Sequence, residues 1–191
     1  MSAPRSRAPL EKRARLRTAA ARHVAAHGLA GFNLHRLAAE AGVGFDLARH
    51  YYRTNEALIA DVARAYHVAL GERMADAVLA ARGLSGAARV EALALAALEA
   101  MAAEGEVHRT ARAAVAALPR VVEAVRNWDA WLVGEFVGAL AAAGVREATV
   151  QCVLAWSVVS LIREWAVRLE GVGEAERRVC AEMLAAMVVR S

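Results

Sequence analysis

The chain has 191 residues, three prolines (Pro4, Pro9, Pro119) and 5% aromatics, and alanine dominates its composition. Alanine favours helices and proline breaks them, so the proline-free run Leu10–Leu118, with no alternating β-branched stretch to compete, excludes a sheet protein and predicts an all-α fold. The net charge of +4 is uneven, +6 over residues 1–60 and −2 over residues 61–191, which points to a polyanionic partner for the first part only.

Residues 1–9 are basic, lack an apolar stretch and are expected to form a disordered basic arm, not a signal peptide. Leu10–His27 follows as a helix, with Leu16, Ala20, Val24 and His27 in a stripe opposite Arg13, Arg15, Arg17 and Arg22. Gly28 ends that helix. Asn33 is placed to cap a second, short helix with Leu34, Leu37, Ala38 and Ala41 facing inward. Gly42 supplies permissive backbone for a tight turn, with Val43 as the core plug beneath it. A third short helix runs from about Phe45 to Tyr52. Two short helices joined by a glycine-containing turn are the sequence form of a helix-turn-helix, whose second helix enters the DNA major groove.

Thr54 then caps a long helix to about Arg82. Helices over about 87–103, 108–118, 120–143, 146–170 and 174–189 follow, punctuated by the loop 83–86, Gly105, Pro119, Gly144 and the segment 171–173. The apolar stretch Ala148–Ile162 lies between Glu147 and Arg163 and is shorter than a membrane span, so no membrane association and a cytoplasmic location are expected. Cys152 and Cys180 are too few for a disulfide framework and are expected to be buried, inert thiols. The six histidines form no metal-ligand cluster, so no metal and no cofactor are expected.

From Asn33 to Leu58 the residues resemble the TetR family of transcriptional repressors, whose N-terminal pattern runs roughly G-x-x-x-T-V-x-x-I-A-x-x-A-G-V-S-x-G-T-L-Y-x-x-F-x-S-K-E-E-L. Asn33-Leu34 stands for T-V, Leu37-Ala38 for I-A, and Ala41-Gly42-Val43 matches outright. Tyr52 takes the phenylalanine place, and Thr54, Glu56 and Leu58 match the last segment in kind. The chain departs from the pattern at Gly44, Asp46, Leu47, Ala48, Arg49 and Asn55, where the family has serine, glycine, threonine, leucine, tyrosine and lysine. The likeness is specific in the first 60 residues and architectural beyond them.

The resemblance implies a basic arm at 1–9, a three-helix DNA-binding domain at 10–54 and a larger helical effector-binding and dimerisation domain at 55–191. It implies a regulator, most simply a repressor, that binds a near-palindromic double-stranded operator as a homodimer and is released by a small apolar effector. The DNA-facing residues it suggests are Asn33, Arg36, Gly44, Phe45, Asp46, Leu47, Arg49, His50, Tyr51, Arg53 and Asn55. Of these, Arg36, His50 and Tyr51 suit phosphates, and Arg49 and Arg53 are placed to replace the missing lysine. Phe45 and Leu47 can meet thymine methyl groups, or one of them can pack inward. Asp46 can accept from a cytosine amine or stabilise the helix start.

For the effector the candidates are Trp128, Trp131 and Trp165 as apolar walls, with His108, Arg109, Arg112 and Gln151 as polar groups; the alternative is core tryptophans and solvated arginines. For the dimer seam they are Val153, Trp156 and Ser160, with Val159 and Ile162 beside them, and Leu184, Met187 and Val188. An enzyme would need a nucleophile–base pair or paired carboxylates, and no such motif is evident. A helical adaptor would leave the tight Ala-Gly-Val turn unexplained.

Overall fold

A computed structural model describes residues 7–84, 86–103, 105–168 and 171–189, giving the backbone alone at 7, 8, 112, 115–117, 120 and 124. The described residues form nine helices and no strand: α1 (Arg7–His27), α2 (Leu34–Glu40), α3 (Phe45–Tyr51), α4 (Asn55–Ala81), α5 (Gly86–Ala102), α6 (Gly105–Ala117), α7 (Pro119–Ala142), α8 (Ala148–Arg168) and α9 (Glu174–Val189). Most helix boundaries fall within about two residues of the sequence reading, and two differ more. α1 takes in Arg7–Pro9, expected in the arm, and α6 starts at Gly105, not near His108. Residues 1–6 of the expected arm, including Arg5, lie outside the described residues.

α2 and α3 have seven residues each, too short to persist alone in water, so their ends and their packing must hold them. Asn33 has extended backbone, and its Oδ1 accepts from the N–H groups of His35 (2.8 Å) and Arg36 (3.4 Å). Asn55, the first residue of α4, covers the same helix end: its Oδ1 accepts from Leu34 N at 3.0 Å, and its Nδ2 donates to Phe32 O at 3.3 Å. Two asparagines thus satisfy three of the donors that α2 leaves open. At the other end Gly42 has φ +63°, Gly42 N donates to Ala39 O and Val43 N to Ala38 O, the paired bonds of a Schellman stop. Val43 then enters the core as the plug.

The core of this head joins Leu16 and Ala20 of α1, Leu34, Leu37 and Ala38 of α2, Val43, Ala48 of α3, Tyr52, and Leu58 and Val62 of α4. On α1 the buried histidine is His23, not His27: His23 Nε2–H donates to Ala30 O at 2.9 Å, while His27 is exposed. The body core is built by α4, α5, α7, α8 and α9, with Leu70, Leu98, Leu132, Phe136 and Ile162 fully enclosed. α5 packs along α9, α8 and α4, and α4 along α7. α4 belongs to both cores. Its 27 residues, about 40 Å of helix, give Leu58 and Val62 to the head and Tyr66, Leu70, Met74 and Val78 to the body.

Candidate nucleic-acid interface and the cavity behind it

α3 buries Ala48 completely and leaves Leu47 half-buried against the head core. What remains outside is Phe45, Asp46, Arg49 and His50, with Arg53 just beyond the helix end. The spacing i, i+1, i+4, i+5 puts the first four on one face. Of the two apolar side chains, Leu47 is therefore the one that packs inward and Phe45 the one that faces out. The Phe45 ring meets His35 of α2 edge-on at 4.8 Å, and the Arg49 guanidinium lies 5.9 Å from its centre. Asp46 sits in the first turn of α3, where a carboxylate suits the helix dipole. Gly44 is the N-cap and supplies no side-chain bond.

Four of the suggested DNA contacts are engaged within the chain. The Tyr51 hydroxyl donates to Pro9 O at 3.0 Å, so it faces α1. Both ends of the Asn55 amide are engaged at the start of α2. Arg36 donates to His23 Nδ1 at 2.6 Å and pairs with Glu40 at 3.2 Å, which holds its guanidinium along α2. Asn33 is engaged as the cap of α2. The other outward groups are on α3 and at Arg53.

Behind α3 lies a charged junction absent from the sequence reading. Asp61 of α4 is buried, and its carboxylate accepts from the Tyr52 hydroxyl, from Arg13 of α1 at 3.2 Å, and pairs with Arg64 at 3.6 Å. Arg13 Nε also donates to the Tyr52 hydroxyl at 3.1 Å. Burial, and then the bond to Asp61, push the Tyr52 phenol up to about 12. The junction ties α1, the end of α3 and α4 together.

It also forms one wall of a cavity of about 940 Å³ that opens between α4 and α7. α4 presents Ala57, Ala60, Asp61, Arg64, His67, Val68 and Gly71, small residues alternating with polar ones, while α7 presents Glu123, Asn127, Trp128 and Trp131. The wall is as much polar as apolar. Only Trp128 and Trp131 of the suggested effector residues line it. His108 is buried between the Tyr66 hydroxyl (3.0 Å) and Arg163 O (3.3 Å), and Arg109 pairs with Glu106. Gln151 donates to Val145 O at 2.6 Å, and Trp165 packs half-buried on the body core. These four stand outside the wall of this cavity. The side chain of Arg112 lies outside the described residues.

His67 in the cavity wall is buried, and its Nδ1–H donates to Ala63 O at 2.7 Å. Desolvation, with repulsion from Arg163, lowers its pKa to about 4 against the bond to Ala63, which favours the charged form. At neutral pH it is uncharged whether folded or not. As pH falls from about 6.5 to about 4, only the unfolded chain takes up the proton, so folding stability is lost across that window by up to about 3 kcal/mol. His67→Gln is expected to flatten the fall of Tm between pH 7 and 4.5 (thermal melts across that range); an unchanged fall would clear His67 of this role.

No protein-family model and no curated protein matches the chain. Solved structures do. A transcriptional regulator from Rhodococcus sp. Rha1 superposes with a TM-score of 0.76 at 19% identity, over 93% of this chain and 96% of that one. A TetR-like transcriptional regulator from Rhodococcus sp. RHA1 superposes over the whole of both chains with a TM-score of 0.69 at 17% identity. The regulator FadR of Bacillus subtilis, solved in complex with stearoyl-CoA, gives 0.65 at 12% identity over 92% and 97% of the two chains. This is the TetR fold.

In this version of the TetR fold, the last two helices turn outward only part of the apolar set that the sequence suggests for the seam. Val153 (61% exposed), Trp156 (48%) and Ser160 of α8 face out, as does Met187 of α9 (57%). Leu184 (0%) and Val188 (2%), expected beside them, are inside, where they join the body core with Ala181 and Ala185. Val159 and Ile162 are enclosed as well. α9 is apolar on two sides, and the outward side carries Val179, Met183 and Met187. By length and composition α8 is apolar enough to cross a membrane. Its inner side, Ala155, Val158, Val159, Ile162 and Ala166, is consumed by packing in the body. Cys152, expected to be buried, is exposed on α8, and Cys180 is half-buried. Among the described residues no group of histidine, cysteine and acid is placed to hold a metal ion.

Proposed function

We propose that this chain is a TetR-like transcriptional regulator, most simply a repressor, that binds a near-palindromic operator as a homodimer in the cytoplasm and is released by a small effector with an apolar body. The observation that carries this reading is the face of α3. A seven-residue helix, set by the Gly42 stop and anchored on the head core, holds Phe45, Asp46, Arg49 and His50 outward on the basic part of the chain. That arrangement suits the major groove, where Arg49 can pair with guanine and Phe45 can meet a thymine methyl group. A two-fold pair of such heads would read half-sites about one helical turn apart. The Bacillus regulator of the same fold was solved with stearoyl-CoA, which supports an effector with an apolar body. Such a ligand would act by favouring a dimer geometry whose two heads no longer match successive grooves.

A gel shift with the DNA flanking the protein's own gene tests the reading. Binding should be sequence-selective and fall steeply with salt. Arg49→Ala is expected to weaken it on the order of tenfold to a hundredfold, the range of about 1–3 kcal/mol for one good base contact. Equal affinity for unrelated DNA would rule out the operator-binding reading.

A further inference from the structure

We propose that the cavity between α4 and α7 binds a flat organic acid, a carboxylate on a ring system about two fused rings long. This deepens the ligand half of the proposed function. The acid end is assigned by Arg64 and Arg13. Both converge on Asp61, yet their side chains remain 55% and 45% exposed. Arg64 reaches Asp61 only at 3.6 Å, so most of its donors are open to a ligand. Asp61 itself is buried and already accepts from Tyr52 and Arg13, so it offers little to a cation.

A second, adjoining cavity of about 560 Å³ shares Arg13, Asp61 and Arg64 and adds Arg17 and Glu72, which brings three guanidinium groups to the α1–α4 edge. The +6 charge of residues 1–60 biases the field at this edge toward anions. The opposing charge in the main cavity is the exposed carboxylate of Glu123 on α7.

The ring end is assigned by Trp131, Trp128, Val68 and Gly71 at the far end of the same cavity. Arg64 and Gly71 are seven residues apart on one helix, roughly 10 Å, which is the length of a two-ring acid. Neutral His67, with its Nδ1–H turned to Ala63 O, keeps Nε2 as an acceptor in the wall between them, suited to a ligand hydroxyl. Because Arg13 also ties α1 to α4, a carboxylate that draws on it acts on a bond that holds the reading head.

The test is isothermal titration of the full chain with 6-hydroxy-2-naphthoate, 2-naphthol and 2-(aminomethyl)naphthalene. The acid should bind one to one, and the neutral and cationic analogues at least tenfold more weakly. Arg64→Gln and Trp131→Leu should each weaken the acid at least tenfold, while Glu123→Gln should tighten it a few-fold by removing the opposing charge. Arg64 and Glu123 are exposed, so these variants keep the fold, as circular dichroism would check. Failure of the acid to bind, tighter binding of the amine, or an Arg64→Gln variant with unchanged affinity would overturn the assignment. Operator binding is measured separately by gel shift. A chain that binds operator but not the acid loses this inference alone, and one that binds the acid but no operator loses only the regulator reading.

Discussion

Asp61→Ala is expected to cost about 2–3 kcal/mol of folding stability and to lower Tm by about 6–8 °C. The loss arises chiefly at Tyr52. That residue is buried, and without the carboxylate its hydroxyl keeps only the long-range partner Arg13. Arg13 and Arg64 are half-exposed and rehydrate readily, so their lost attraction adds little. Tyr52→Phe should cost less, about 1 kcal/mol, because Asp61 keeps both arginines. The double variant should fall short of the sum, since both changes act on one network. Chemical and thermal denaturation of the three variants measures this. A Tm for Asp61→Ala within about 1 °C of the parent would show that the junction contributes nothing to stability.

The second large effect concerns assembly. The outward residues Val153 and Trp156 of α8, with Val179, Met183 and Met187 of α9, form more apolar surface than an unassembled chain of this size is expected to leave to water. A second copy is the occupant that the proposed function requires. Trp156→Arg should then convert a dimer to a monomer in sedimentation or light scattering, with the helical content unchanged because the side chain is half outside the fold. Operator affinity should fall about a hundredfold or more, since two linked heads bind with an effective concentration that separate heads lack. A variant that remains dimeric would move the seam elsewhere, and a parent protein that is monomeric at micromolar concentration would remove it.

Features that depend on neighbouring residues were legible in the sequence. Gly42 stops α2, Asn33 caps it, Thr54 caps α4 through Ala57 N, and Pro119 opens α7, each through chemistry within a few residues. The groups that escaped notice act across the chain. Asn55 meets Leu34 from 21 positions away, and Arg13 meets Tyr52 and Asp61 across 39 and 48. Nothing in the local pattern marks such pairs. The bonds of Tyr51 and Arg36 were illegible for the same reason: a donor suited to phosphate is equally suited to the Pro9 carbonyl or to His23. On α9 the difficulty was different. A helix apolar on two sides gives no periodic cue to which side is inside, so Leu184 and Val188 could not be told from Met183 and Met187.

The four tryptophans are distributed over three environments. Trp128 and Trp131 share the cavity wall with ring centres 6.4 Å apart, Trp156 stands on the outer surface of α8, and Trp165 lies half-buried on the body core. The molecule therefore carries its own optical reporters. Quenching by a cavity ligand acts first on the paired indoles, whereas burial of Trp156 shifts the emission of a single ring toward the blue. Trp156→Phe separates the two signals, so occupancy and assembly can be followed in one unlabelled sample.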